Sequence, residues 1–328
     1  MTLSLSLACS AYDRTQALYD GKITIPGVDL IYLPMPLEEI FYRMVRFDEF
    51  DIAELSLSSY TLSLASDRRF VAIPVFPSRM FRHSGIYVGA SSKVKVPSDL
   101  IGKRVGMAEY QLTANVWIRG MLNEYYGVPY DSVQYRTGGL HSPGREEKIA
   151  IELPPGISVE PIGPNDTLCE MLLNGELDAI YTPRTPLPFL EGNSDISRLF
   201  SNCREEEETY FAKSGILPIM HVIVLRRSLY ERHRWLARAL FDSFETARQI
   251  AMAGIDETAS LRYMLPWLHE EVARTRKVLG WDYWSYGLDA NIGVLETFLR
   301  YSGEQGLASP DLTPADLFAP ETLGTYVI

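Results

Sequence analysis

The 328-residue sequence predicts a two-lobed α/β protein with a central cleft and two crossings between the lobes. Three observations predict it. Short apolar strand patterns alternate with helical ones along most of the chain, the order expected of parallel sheets covered by helices. A hydrophobic content of 46% over this length can fill a sizeable core in each lobe. Two stretches, "VAIPVFPSRMFRHSGIYVG" (71–89) and "SGILPIMHVIV" (214–224), set Gly and Pro beside buried-strand residues and read as the crossings. They divide the chain into a discontinuous first lobe, 1–85 and 221–328, and an inserted second lobe, 86–220.

The elements follow in order. In "MTLSLSLACSAYDR" Leu3, Leu5 and Leu7 alternate with serine, which makes one apolar face of a first strand. The same stretch has no basic start and no continuous apolar run, so it does not read as an export signal. "VDLIYL" (28–33) is a strand, and "PLEEIFYRMVRF" (36–47) puts Ile40, Phe41, Met44, Val45 and Phe47 on one helical face. "FDIAEL" (50–55) is a strand, and "SLSSYTLSLA" (56–65) opens a helix with hydroxyl residues. The stretch 71–89 begins and ends as buried strand. "KRVGMAE" (103–109), "VQYRT" (133–137) and "LDAIYT" (177–182) are strands, separated by helices at 111–127 and 166–175. "IMHVIVLRR" (219–227) is a further apolar strand. Beyond it the chain is mostly helical, with "LYERHRWLARALFDSFETARQIA" the clearest amphipathic helix.

Charge and motif content exclude several classes. A net charge of −11 without any Lys/Arg-rich run argues against nucleic-acid binding. No apolar run of about 18 residues occurs, so no membrane span is expected. The cysteines Cys9, Cys169 and Cys203 are odd in number and far apart, and they read as reduced thiols of a cytoplasmic protein. "HEE" (269–271) lacks the second helical histidine of a zinc protease, and no metal is expected. "TGGL" (137–140) lacks the glycines of a dinucleotide fingerprint. With no nucleophile elbow or phosphate loop either, no cofactor is expected. "WDYWSYG" (281–287) reads as helix packing or the surface of a homo-oligomer.

Within this acidic chain, Arg79, Arg82 and His83 stand three potential cations within five residues. The segments "YDRTQALYDG", "DIAELSLSSY", "FPSRMFRHSGIYV", "EYQLTANVWIRG", "LLNGELDAIYTPR", "GILPIMHVIVLRR", "YGLDAN" and "LFAPETL" resemble the 4,5-dihydroxyphthalate decarboxylase family, over nearly the whole chain. That family lies within the type 2 periplasmic-binding-protein-like superfamily. The resemblance implies two α/β lobes, a central ligand and non-oxidative loss of CO2 from an aromatic dicarboxylate.

The chemistry that such a substrate demands can be matched to residues. A guanidinium fork meets a carboxylate with two parallel hydrogen bonds, and Arg14, Arg79, Arg82 and Arg184 all follow strands. Helix starts at Ser58 and Ser59 and at Gln111 and Thr113 add N–H donors for anions or phenols. Expelling CO2 from a ring carbon calls for an acid near that carbon and a base near a hydroxyl. His83 and His221 sit one in each crossing and form the titratable pair. Glu54 and Glu109 are bases or orienters, and Tyr110 can donate to a phenolate. In this reading Arg79 and Arg82 hold a substrate carboxylate and His83 is the proton donor, with His221 next in line. The competing class is a non-catalytic binding protein for an aromatic acid, which needs the arginines but not the proton-transfer residues.

Overall fold

The computed structural model describes residues 2–149 and 151–324. Among them, eleven strands follow in chain order: β1 (Leu3–Cys9), β2 (Val28–Pro34), β3 (Ile52–Ser56), β4 (Phe70–Ile73), β5 (Ile86–Gly89), β6 (Arg104–Met107), β7 (Gln134–Thr137), β8 (Ser158–Pro161), β9 (Ala179–Tyr181), β10 (Ile196–Arg198) and β11 (His221–Arg226). They build two sheets, one in each of two compact units. Unit 1 comprises Met1–Arg79, Ile219–Glu296 and Leu312–Ile328, and unit 2 comprises Met80–Pro218 and Thr297–Asp311.

These limits differ from the expected 86–220 insertion with two crossings. The chain changes unit after Arg79, Pro218, Glu296 and Asp311. Contacts made by Thr297–Asp311 explain its place in unit 2. Trp117 packs on Phe298 and Tyr301 with ring centroids 5.6 and 5.8 Å away. The Tyr301 ring lies so close to Gly120 that an added Cβ would meet it at 2.0 Å. The buried Arg119 donates from Nε to Gln305 Oε1 at 2.6 Å.

In unit 1 the strand order is β2-β1-β3-β11-β4. β1 is parallel to β2 and β3, whereas β11 runs antiparallel to β3 and β4. The sheet is therefore mixed, not parallel throughout. All five residues of β3 are buried, as expected of a strand covered on both faces. The helix Leu37–Phe47 lays Ile40, Phe41, Met44 and Val45 on the core, the face that its spacing predicted. The helix Leu57–Ala65 is capped by Ser56, whose hydroxyl accepts from Ser59 N–H. The single helix expected over 229–251 is broken into Arg227–Arg232 and Trp235–Ile255, because His233 leaves helical geometry at φ −142° and ψ 60°.

Unit 2 has the order β10-β5-β9-β6-β7-β8, with β6, β7, β8 and β9 parallel and β5 antiparallel to both its neighbours. The helix Thr113–Tyr126 is buried over its first three turns and ends at Gly127, whose φ of 66° a side chain would resist. His83–Gly85 forms a turn of 3-10 helix before β5 starts at Ile86.

The mixed topology decides which residues meet. In unit 1 the carboxyl ends of β1, β3 and β4 and the first residue of β11 share one sheet edge. In unit 2 the carboxyl ends of β6, β7, β8 and β9 share an edge with the start of β5. Ligands of open α/β sheets bind beyond such carboxyl ends.

Candidate functional site

At the unit 1 edge, Glu54 is a carboxylate in the middle of a wholly buried strand, and it needs partners to be there. It has four. His221 Nδ1 lies 2.7 Å from Oε1, and Tyr12 O–H donates to the same oxygen at 2.8 Å. Ser10 N–H donates to Oε2 at 3.0 Å, and the Cys9 thiol lies 3.5 Å from it. Register brings the first pair together: His221 is opposite Ser56, two residues along β3 from Glu54, so both side chains leave the same face as diagonal neighbours. Burial alone would push the Glu54 carboxyl up, but the bond and charge of His221, the Ser10 N–H and the Tyr12 hydroxyl bring it below the ordinary value. An ionised Glu54 accepts a hydrogen bond from the Nδ1–H of His221 and leaves Nε2 turned away from the carboxylate. Phe41 packs edge-on against the imidazole at 4.9 Å. Burial, followed by the charge of Glu54, pushes the Cys9 thiol well up, which keeps it a donor and not a nucleophile.

Arg14 stands one ring away from this pair. Its guanidinium lies 4.1 Å from the Tyr12 ring centre and 4.4 Å from that of Trp284. It donates to Pro77 O at 2.6 Å and to Asp13 Oδ1 at 3.0 Å. Ser58 and Ser59 are buried at the start of the helix Leu57–Ala65, on the same edge. Arg79 is buried as well, but it braces a loop of unit 1: it donates to Ser285 O at 2.7 Å and to Asn291 Oδ1. Burial lowers its guanidinium to about 10. These bonds hold the guanidinium that was expected to meet a substrate carboxylate.

Unit 2 encloses His83. The side chain is 0% exposed and sits among Phe200, Tyr210 and Tyr126, with ring centroids 5.1, 5.3 and 6.0 Å away. Nε2 pairs with Tyr126 Oη at 3.1 Å. Burial holds the imidazole down at about 4, so it is neutral near pH 7. A caged, neutral imidazole is a poor proton donor. Arg82 beside it is buried, contacts Met80 Sδ at 3.5 Å, and is lowered by burial to about 10.

Glu109, after β6, is 1% exposed and clasped by cations. Arg145 Nη2 donates to Oε1 at 2.7 Å and Lys148 Nζ at 2.5 Å. Two cations thus meet one oxygen of a carboxylate that was expected to act as a base or an orienter. Tyr110 is buried under Arg119, whose guanidinium lies 3.7 Å from its ring centre. Gln111 and Thr113 are buried at the start of the following helix. Glu147 returns to the same turn and accepts from the N–H groups of Tyr110 and Gln111. Burial raises its carboxyl to about 7, with Glu109 adding to the rise and those N–H groups and Arg119 opposing it. Arg184 is exposed after β9, where its N–H donates to Thr182 Oγ1 at 3.0 Å.

Among the described residues no group of three or more His, Cys, Asp and Glu side chains is arranged to hold a metal ion, and no helix is long and apolar enough to cross a membrane. What the unit 1 edge offers is a histidine fixed in orientation by a buried carboxylate, with a guanidinium one aromatic ring away. Such a histidine can pass a proton at Nε2. Tyr12 and Ser10, which complete the Glu54 environment, were not singled out from sequence. Their signal was only their position just after the first strand.

No protein-family model matches the chain. It is 40% identical over 327 residues to a 4,5-dihydroxyphthalate decarboxylase of Comamonas testosteroni, covering 99% of both proteins. It is 45% identical over 199 residues to a 4,5-dihydroxyphthalate decarboxylase of Pseudomonas putida, covering 60% of this chain and 77% of that one. Among solved structures, the periplasmic sulfonate-binding protein SsuA of Methylobacillus flagellatus aligns over 99% of this chain and 92% of its own, with a TM-score of 0.54 and 13% identity. That likeness establishes a periplasmic-binding-protein-like fold.

Proposed function

The chain belongs to the 4,5-dihydroxyphthalate decarboxylase family, and from that premise we propose how its residues act. The reaction is non-oxidative loss of one carboxylate from a dihydroxylated aromatic dicarboxylate such as 4,5-dihydroxyphthalate. Direct expulsion of CO2 would leave an aryl carbanion, so a proton reaches the ring first. It adds at the carbon that bears the leaving carboxylate, para to a hydroxyl, and that hydroxyl stabilises the resulting cation by releasing its own proton. The C–C bond then breaks, its electron pair restores the ring, and the ring oxygen recovers a proton. The net change replaces one carboxylate by one hydrogen.

His221 delivers the proton from Nε2, and Glu54 holds the ring by accepting from Nδ1. The observation that supports these roles is the 2.7 Å contact between a partly exposed histidine and a fully buried carboxylate. Arg14 recognises a substrate carboxylate, aided by the helix start at Ser58 and Ser59, where N–H groups favour negative charge. No metal takes part in this scheme. A cytoplasmic location belongs to the same proposal, and three free thiols fit a reducing compartment.

The test is incubation of the purified protein with 4,5-dihydroxyphthalate in D2O, with and without a chelator, followed by mass spectrometry. The expected product is 3,4-dihydroxybenzoate carrying one deuterium at the vacated carbon, in both samples. Tight binding without turnover would establish the binding-protein alternative. Inhibition by the chelator that a divalent ion reverses would reject the metal-free part alone.

A further inference from the structure

Tyr12 makes two contacts that belong to different halves of the proposed chemistry. Its hydroxyl donates to Glu54 Oε1 at 2.8 Å, the oxygen that also meets His221 Nδ1 at 2.7 Å. Burial, followed by the charge of Glu54, pushes that hydroxyl well up, so it stays a donor. The Tyr12 ring lies against Arg14, its centre 4.1 Å from the guanidinium carbon. A second ring, that of Trp284, meets the same guanidinium at 4.4 Å. Trp284 belongs to the stretch 281–287, whose aromatics the sequence alone left to packing or to an oligomer surface. That stretch is tied to the residues after β4. Trp284 Nε1 donates to Phe76 O at 3.1 Å, and Gly287 N–H to Pro74 O at 2.8 Å. Arg14 Nε donates to the next carbonyl, Pro77 O, at 2.6 Å. Asp13 adds a further restraint, since Oδ1 accepts from Arg14 Nη1 at 3.0 Å and Oδ2 from the Tyr263 hydroxyl at 3.1 Å. All of these residues lie in unit 1.

A guanidinium held by two bonds and two rings gives up its rotamer freedom before an anion arrives, which lowers the cost of binding one. Nη2 makes no bond to the described residues, and the Arg14 side chain keeps 17% of its surface exposed. We propose that Tyr12 is a two-sided positioning residue: its ring, with Trp284, fixes the carboxylate-binding Arg14, and its hydroxyl fixes Glu54 and through it His221. Trp284 is a positioning residue for Arg14 alone. The proposal rests on the decarboxylase reading for the roles of Arg14 and His221, and deepens it by naming what holds them. A phenol is rigid from ring to hydroxyl, so one side chain also sets the spacing between the guanidinium and the carboxylate.

The experiment compares Tyr12→Phe, Tyr12→Leu, Trp284→Phe and Trp284→Leu in the whole protein. Steady-state kinetics uses 4,5-dihydroxyphthalate, and calorimetric titration uses phthalate, which carries both carboxylates and no hydroxyl. Tyr12→Phe keeps the ring and loses the hydroxyl. It should lower kcat about 10–100-fold, as a misplaced proton donor does, with KM and phthalate affinity within about threefold of wild type. Trp284→Leu should do the reverse, raising KM and weakening phthalate about tenfold for the lost cation–π contact, with kcat within about threefold. Tyr12→Leu should show both losses, and Trp284→Phe, which restores a ring, should recover most of the affinity. Should Trp284→Leu fail to fold, Trp284→Met, which also lacks a π face, takes its place. Folded variants that leave both parameters unchanged, or that move kcat and KM in the same pattern at both positions, overturn the proposal. The two readings fail separately. A wild type that binds the acids but releases no CO2 loses the decarboxylase reading and the hydroxyl half with it, while titration of the Trp284 variants still decides the ring half. A wild type that turns over while the variants show no such split loses only the positioning roles.

Discussion

Glu54 and His221 are 167 residues apart in the chain, yet Oε1 and Nδ1 meet at 2.7 Å on one face of the unit 1 sheet. The carboxylate is fully buried and its oxygens are met by His221, Tyr12, Ser10 and Cys9. A histidine held in this way has one orientation and one nitrogen left for chemistry.

If His221 is the proton donor proposed above, replacing it should remove that donor and spare the ligand's other contacts. His221→Asn is expected to lower kcat by about 10²–10⁴-fold with KM changed little, as for loss of a general acid. Steady-state kinetics on 4,5-dihydroxyphthalate measures both. A kcat within about threefold of wild type would exclude His221 from the proton transfer.

Glu54 combines orientation with stability, and two substitutions separate them. Glu54→Gln keeps the shape but presents the wrong donor pattern to Nδ1, so kcat should fall while the fold survives. Glu54→Ala leaves buried partners unmet and should cost about 3–5 kcal/mol in urea unfolding. The folded carboxyl is depressed, so its contribution is present above the unfolded value near 4.5 and lost as pH falls further. The acid limb of stability should accordingly be shallower in Glu54→Gln.

His83 gives the opposite expectation. Its folded-state value of about 4 lies below the ordinary 6.5, so the unfolded chain binds a proton first as pH drops. Wild-type stability should fall between pH 6.5 and 4, by at most about 3 kcal/mol. His83→Phe should flatten that limb, cost about 1 kcal/mol at pH 7 for the lost Tyr126 contact, and leave turnover within about threefold. A hundredfold loss of turnover would return His83 to the mechanism.

Glu147 titrates in the other direction. Its carboxyl is raised to about 7, so the folded state holds the proton that the unfolded chain releases near 4.5. Stability from this group is full below 4.5 and declines as pH rises through 7. Glu147→Gln cannot ionise, and its advantage over wild type should grow from pH 5 to pH 8 by at most about 3 kcal/mol. Thermal melts across that range test the sign.

Arg79 should act on stability before affinity. Arg79→Ala removes the donor to Ser285 O and Asn291 Oδ1 from a buried position, and a loss of about 2–4 kcal/mol is expected. Ligand affinity measured on the folded fraction should stay within about threefold of wild type.

Local pattern made much of the fold legible. Ile40, Phe41, Met44 and Val45 announce their helix by spacing alone, and the apolar runs of β3 and β11 announce buried strands. Features set by distant contacts were not legible. Gly120 gives no sign that Tyr301 lies against it, and so none that Thr297–Asp311 belongs to unit 2. β8 is mostly exposed and β10 has three residues, so neither shows a periodicity. The same division runs through the site. Residue type brought Glu54, His221 and His83 forward, and burial sets their surroundings: an aromatic cage keeps one histidine neutral near pH 7, and a buried carboxylate orients the other.

β11 lies between β3 and β4 although it follows them in the chain by the whole length of unit 2's main segment. A nascent chain that has not reached His221 therefore exposes the edges of two apolar strands that have no partner yet. Unpaired edges of that kind invite association with other chains. Unit 2 waits too, because Thr297–Asp311 supplies the side chains that cover Trp117 and Gly120. Neither unit can complete its core until late in synthesis, and strand order prolongs the time for which those edges stand open to association.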